Sequence, residues 1–412
     1  RVRASSMRCV RFRQFERENA MLIFEALDAG HGDALILRYP GSTDFQRVIL
    51  IDGSAASTGG HYKDSYKPLK TSILPRLLQI KDEIDANPGD LHSGDEKLSI
   101  DLAICTHVHD DHIVGVLELF QMLAGKKTAL PGVEKIEVRN LWHNSFSSIL
   151  EGVDIIKATS EGMQPVSVGQ GDKLTKLAPE IGTDHNPGVK GLLLAEGQFY
   201  ENFGPVKIRI LNPGREDLEK LKSDWEEQAG PVSGPQTVAL GDGLTVFPDD
   251  NDVFNLSSIT MLVEGFGRKI LLTGDQLSEN IVDALERVKD TDGKVLKKKG
   301  KPFPVDLIKV PHHGSKANVQ KRFIDEVPAD LYVFSANGKD QNPDPEVQEL
   351  FVPVAQERKF TMAFTNEDME YVPQTKNDVK IDPRFTDNFE VKTLAQALDH
   401  LRADEKFRKN VT

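Results

Sequence analysis

The strongest constraint on this chain is a short loop, Thr106-His107-Val108-His109-Asp110-Asp111-His112, which follows an apolar, β-branched run and opens a helix-like stretch. Three imidazoles and two carboxylates within six residues can be buried only if something compensates them. A bound cation does so. In an extended segment the side chains alternate, so His107 and His109 share a face. The bend into a helix turns Asp111 and His112 toward a second position a few Å away. One loop can thus serve two ions, a pairing suited to clamping attacking and leaving oxygens. With 11 histidines in 412 residues, three in six positions do not read as a solvated loop.

The rest of the chain is compatible with a folded domain around that loop. Lys plus Arg is 51 against 64 Asp plus Glu, a net charge of −13, which disfavours broad adhesion to nucleic acid or anionic lipid. No apolar run approaches the roughly 18 residues of a membrane span. The two cysteines, Cys9 and Cys105, are too few for a disulfide framework. Residues 1–20 are Arg-rich and lack the apolar core of a secretory signal. A cytoplasmic location without membrane association is the expectation.

Periodicity predicts strands at 22–27, 34–39 and 47–51, a helix over 71–84, a strand at 98–105, a helix over 110–123 and a strand at 133–142. Helices over 148–158, 171–177 and 215–227 follow, with a strand at 206–211. A hairpin is expected from 258–263 and 269–273. Then come a helix over 277–288, a strand at 305–310, a helix over 319–326, a strand at 330–334, a helix over 345–356 and a strand at 359–363. Residues 230–252, rich in Gly, Pro and Asp, read as a loop insertion. Val391, Leu394, Leu398 and Leu401 are spaced as one face of a terminal helix. The class is α/β, with a β-rich run that recurs near Ser258.

The loop has the H-x-H-x-D-H form of the metallo-β-lactamase superfamily. The flanking segments resemble the hydrolase domain of the DNA-uptake competence proteins and their soluble relatives. Leu27-Asp-Ala-Gly-His-Gly-Asp33, Leu50-Ile-Asp-Gly53, Leu271-Leu-Thr-Gly-Asp275 and Lys309-Val-Pro-His-His-Gly-Ser315 are similar to that group's motifs, in the same order. The resemblance implies a four-layer αβ/βα sandwich with metals at one edge between two sheets. It makes residues 21–366 the hydrolase domain, 1–20 a disordered extension, and 367–412 a tail ending in the amphipathic helix.

Carried over residue by residue, the resemblance assigns His107 and His109 to a first metal, Asp111 and His112 to a second, and Asp275 as the carboxylate bridging both. The alternative for Asp275 is a helix N-cap. His313 is the last ligand of the second metal and His312 faces substrate as a hydrogen-bond donor, with the opposite assignment as the alternative. His143 completes the first metal, with His185 as rival. Asp52 stands behind the ligands and accepts a hydrogen bond from one imidazole, or is a plain turn residue. His31 replaces the glutamine usual in its turn, and Asn342-Pro343 stands where competence relatives often carry His-Pro. Lys294, Lys297, Lys298, Lys299 and Lys301 read first as a solvated loop, and otherwise as a guide for an anionic substrate.

The implied activity is that of a binuclear hydrolase. A water between two divalent ions, zinc from the ligand types with manganese or iron as alternatives, is activated as hydroxide. Asp111 orients it, and His312 stabilises developing charge. A phosphodiester, in nucleic acid or a small molecule, is the expected substrate. The alternatives are a lactam, lactone or thioester, or a non-catalytic metal-binding adaptor.

Overall fold

The structure, a computed structural model, describes residues 22–41, 46–54, 68–145, 149, 166–189, 191–195, 199–200, 204–218, 239–240, 244–245, 254–336, 342–365 and 390–393. The expected 1–20 extension, the helix over 148–158 apart from Ile149, and most of the 230–252 insertion lie outside the described residues. So does the tail, apart from 390–393.

Two sheets dominate this mixed α/β architecture. The first runs Ile23–Ala26, Leu35–Pro40, Gln46–Ile51, Leu102–Ile104, Asn140–Trp142, Asp184–His185. Its first three strands form an antiparallel meander, and every later pairing is parallel. The second sheet repeats that logic. Phe199–Tyr200, Lys207–Asn212, Thr260–Gly265 and Arg268–Leu272 are antiparallel neighbours. Val305–Lys309, Ala329–Phe334, Thr361–Phe364 and Glu390–Thr393 then continue in parallel.

Strand alternation explains the burial. Leu35, Leu37, Ile49 and Ile51 of one sheet share an apolar cluster with Met261, Val263, Leu307 and Val333 of the other. Their neighbours Ile36, Val48 and Leu50 join a different cluster with helices Leu74–Asp85, Asp110–Leu123 and Val166–Glu180. Leu262, Leu271, Ile308 and Tyr332 pack with helices Ser278–Arg287, Lys321–Glu326 and Pro345–Glu357. Each sheet is therefore apolar on both faces, as sheets covered on both sides require.

Three expectations need correction. The run 98–105 is two strands, Leu98–Ile100 and Leu102–Ile104, in different sheets. The buried Asp101 between them accepts the Val48 N–H at 2.9 Å and pairs with Arg47, which turns the chain. The run 133–142 divides in the same way, into Ile136–Val138 and Asn140–Trp142. Val391 lies in an edge strand rather than a helix, because Thr361–Phe364 offers backbone groups that a β-branched segment can pair.

The site-bearing segments leave the carboxyl ends of parallel strands at the points where each sheet changes from antiparallel to parallel. Open α/β sheets place ligands there. One close contact sets the geometry. The Gly53 carbonyl oxygen lies 2.0 Å from where a Cβ on Gly115 would stand, and the Gly53 N–H donates to the His112 carbonyl at 2.7 Å. Helix Asp110–Leu123 can therefore lie directly on the Asp52 turn. Gly115→Ala is expected to cost about 1–3 kcal/mol through overpacking, read as a lower urea midpoint at unchanged m-value.

Candidate metal centre

Asp52 organises the loop from behind. Its backbone N–H donates to the Ile104 carbonyl at 2.8 Å, and its φ of 57° puts it in the left-handed region. Its Oδ1 accepts the Thr106 N–H at 2.8 Å, and its Oδ2 accepts the Thr106 hydroxyl at 2.7 Å and His112 Nδ1 at 2.8 Å. With its hydroxyl proton given to Asp52, Thr106 Oγ1 can accept from His107 Nδ1 at 3.2 Å. Both imidazoles then carry their proton on Nδ1, and each presents an Nε2 lone pair to the site.

The opposite wall is the turn Pro311–Gly314. His312 and His313 have φ of 44° and 56°, and Gly314 follows at 88°. Successive left-handed residues store strain that an ordinary turn would relax, and they aim adjacent imidazoles in different directions. A Cβ on Gly314 would lie 2.5 Å from Pro343 Cβ, so the Asn342-Pro343 segment buttresses this turn and tolerates glycine alone there. His313 is buried and donates Nδ1–H to the Ser335 carbonyl at 2.7 Å. Its Nε2 faces Asp111 Oδ2 at 3.2 Å and Asp275 Oδ2 at 3.6 Å.

Asp111, His112, Asp275 and His313 thus each bring one ligand atom within 4.8 Å of all the others. His112 Nε2 and Asp275 Oδ2 are 3.2 Å apart, and both are buried without a hydrogen-bond partner. Two imine lone pairs and two carboxylate oxygens converge with no proton donor between them. That arrangement repels itself unless a cation or added protons occupy it, and its mixed nitrogen and carboxylate donors suit zinc or a similar dication.

His107 and His109 sit beside this set. His107 Nε2 is 3.1 Å from His109 Nδ1 and 4.0 Å from Asp275 Oδ2, and His109 Nε2 is buried without a partner. Neither residue enters a set of three or more ligand atoms converging within 4.8 Å among the described residues. His143 is wholly buried. Its Nδ1 faces the Cys105 carbonyl at 3.3 Å, while its partnerless Nε2 lies 3.0 Å from where a Gly171 Cβ would stand. It joins no convergent set among the described residues. His185 directs Nε2 to the His143 carbonyl at 2.9 Å, so it props the segment that carries His143.

His312 approaches Asp275 Oδ2 at 3.7 Å through Nε2, with its side chain one-fifth exposed. Asn318 donates to the Asp275 carbonyl at 2.8 Å, which leaves its Oδ1 to accept His312 Nδ1–H at 2.7 Å. Asn255 Nδ2 lies 3.3 Å from the same Nδ1, so the tautomer of His312 depends on which of the two amides it engages. His31 lies 3.3 Å from Asp111 Oδ2, and its ring centroid is 4.6 Å from that of His313. It therefore borders the site. In the basic run, Lys297 is buried and paired with Glu286 and Glu326, whereas Lys294, Lys298, Lys299 and Lys301 are exposed. The solvated-loop reading fails at Lys297, whose ammonium ties the loop to two helices.

Two site residues escaped the motif reading as functional groups. Asp33 and Lys309 are buried and their charged atoms are 2.6 Å apart. The signals available were an aspartate closing the Gly-rich turn and a lysine ending an otherwise apolar strand.

Electrostatics follow from the geometry. Burial opposes charge on His112, but Asp275, Asp52 and Asp111 outweigh it and push the imidazole well above its ordinary range. Burial likewise opposes ionisation of Asp111 and Asp275, yet the His112 charge and neighbouring histidines hold both well below the usual carboxylate range. Burial, then repulsion from His112 and His109, keeps His107 well below normal and neutral. Burial also pushes His143 down to about 4.

No protein-family model matches this chain, and no curated protein does. Among solved structures it is similar to a "Putative metal-dependent hydrolase" from Parabacteroides distasonis, at 10% identity and a TM-score of 0.34, covering 85% of this chain and 98% of that one. It is similar also to a mutant of the CmlA beta-hydroxylase, at 14% identity and a TM-score of 0.33, covering 85% of this chain and 53% of that one. A protein of unknown function from Enterococcus faecalis V583 shares 13% identity at a TM-score of 0.26, over 90% and 76% of the two chains. At these scores the likenesses carry no argument, and the site stands on its own geometry.

The carboxylates around His112 favour its protonated form, so a metal ion that takes the Nε2 lone pair competes with a proton there. Zinc titrations at pH 7 in buffers of different ionisation enthalpy are expected to show about one proton released per ion at this set. Affinity is expected to fall as pH drops, since a raised imidazole pKa extends proton competition upward into the neutral range.

Proposed function

We propose that this chain is a binuclear metal-dependent hydrolase of the metallo-β-lactamase superfamily, built as a four-layer αβ/βα sandwich, and that it acts on a phosphodiester. The observation that carries the hydrolase reading is the convergence of Asp111 Oδ2, His112 Nε2, Asp275 Oδ2 and His313 Nε2 from three distant chain segments, with no donor among them. The apolar clusters support the layer order, since one joins the two sheets and the others join each sheet to its helices. The ordered motifs support the superfamily and the phosphodiester.

Divalent ions bound here would supply an ionised water at neutral pH and neutralise charge on the reacting group. The chain's own residues prepare that chemistry. Asp52 fixes the His112 tautomer directly and that of His107 through Thr106. The Ser335 carbonyl does the same for His313. Asp111, whose side chain is 19% exposed, is the carboxylate of the set that reaches solvent, which suits it to orient an attacking water. His312, held by Asn318, lies 3.7 Å from Asp275 Oδ2 with its side chain one-fifth exposed, which suits it to meet an anionic substrate.

The first metal in this reading would be held by His107, His109 and the bridging Asp275, with His143 as its further ligand. Its support is the 3.1 Å approach of the first two imidazoles and the partnerless nitrogens of His109 and His143. The metal we propose is zinc, the location cytoplasmic, and the partner a small-molecule or nucleic-acid phosphodiester.

Purified protein loaded with zinc or manganese is expected to cleave bis-p-nitrophenyl phosphate faster than a lactam or a thioester. Asp111→Ala is expected to lower kcat by at least about 100-fold, because it removes a metal-ligating carboxylate that orients the attacking water. Preferential cleavage of the lactam or thioester would shift the substrate class, and bound metal without any turnover would favour the adaptor reading. His143→Ala is expected to lose one equivalent of bound metal by elemental analysis while His185→Ala keeps it.

A further inference from the structure

Lys309 ends the strand Val305–Lys309 with its side chain wholly buried. Its ammonium lies 2.6 Å from Asp33 Oδ2 and 3.5 Å from Asp275 Oδ1, and donates to the Gly274 carbonyl at 3.1 Å. It therefore touches the outer oxygen of the same carboxylate whose inner oxygen, Oδ2, faces His112 and His313.

Two convergent groups of ligand atoms share His112. One is Asp111, His112, Asp275 and His313; the other is Asp33, Asp52 and His112. A neutral imidazole offers one lone pair, so His112 can serve one group as a ligand. In the second group the Asp52 oxygens, Asp33 Oδ2 and His112 Nδ1 are already engaged. Asp52 accepts from Thr106 and His112 Nδ1, and Asp33 is paired with Lys309. Without the ammonium, the Asp33 carboxylate would face His112 Nδ1 at 3.9 Å and His313 Nδ1 at 3.8 Å with no cation of its own. It would then compete with Asp52 and Ser335 for the two protons that fix the ligand tautomers.

We propose that Lys309 is a positioning residue, a fixed internal cation that reserves Asp33 and the outer oxygen of Asp275, so that a divalent metal is confined to Asp275 Oδ2 and its three partners. This rests on reading that set as a metal site. The charges make the effect reciprocal. Neutralising Asp33 alone leaves Asp275 as the ammonium's closest carboxylate, in competition with metal. Removing Lys309 alone frees Asp33 to pull on the ligand rings. Removing both charges abolishes both faults.

The test compares the full-length wild type with Lys309→Met, Asp33→Asn and the double variant. Zinc affinity is measured against a chromophoric chelator, bound metal per chain by elemental analysis, and folding by circular dichroism. Each single change is expected to weaken zinc binding by about 10- to 100-fold, the range for groups that hold metal ligands in place. The double variant is expected to recover to within about threefold of wild type, a coupling that independent sites do not show. Wild-type affinity in folded Lys309→Met would overturn the proposal. So would a double variant as weak as the summed single losses, since Lys309 would then act by packing alone. If Lys309→Met does not fold, Asp33→Asn and the double variant carry the comparison, and unchanged affinity in Asp33→Asn overturns it. A wild-type chain that binds no zinc removes the metal-site reading itself, and is seen before any variant is measured.

Discussion

Like-charged and lone-pair groups held together in a buried place need a counter-charge, and that need organises this molecule. Asp111, Asp275, His112 and His313 point their acceptors at one another, while their proton-bearing atoms are turned outward to Asp52 and the Ser335 carbonyl. In water such an arrangement would scatter. Here the sheets hold it, and the compensating charge has to be a proton or a metal ion.

The strain in the backbone is concentrated at the same place. Asp52, Ser54, His312 and His313 all have positive φ, and all lie in turns that leave the carboxyl ends of strands. Each costs about 1–3 kcal/mol, which the apolar clusters on both faces of each sheet offset. The meander-then-parallel order of both sheets places those turns on facing edges, so a residue near position 52 and residues near 275 and 313 meet around one loop. The strands supply the rigid part of the fold, and the turns at their carboxyl ends bring the ligand-type side chains together.

Lys309 and Asp33 extend the same principle outward. A site with this many carboxylates needs cationic charge that does not exchange, and a lysine from the adjoining strand provides it without occupying a ligand position. Burial disfavours the ammonium, but Asp33 and Asp275 outweigh that and hold its pKa above the ordinary lysine value, so it stays charged. The site is thereby layered, with exchangeable charge inside and permanent charge beneath.

How much of this was legible depended on range. Local pattern sufficed for the helix Asp110–Leu123, the hairpin Thr260–Gly265 with Arg268–Leu272, and the helix Pro345–Glu357, because each buries a face set by neighbours a few residues away. It failed at 98–105, where a buried Asp101 bonded to Val48 sends one apolar run into two sheets, and at Val391, whose strand depends on a partner about thirty residues earlier. The cluster His107, His109, Asp111 and His112 is visible in the sequence because one loop carries it. The sequence by itself determined that side chains of metal-ligating type are concentrated in one loop and which later turns carry more of them. Only the tertiary structure decided which nitrogen of each imidazole faces inward, that His143 stands apart from the convergent set, and that Lys309 lies under Asp275. Those outcomes turn on hydrogen bonds and ion pairs between segments as much as 276 residues apart, as Asp33 and Lys309 are, and no local periodicity records them.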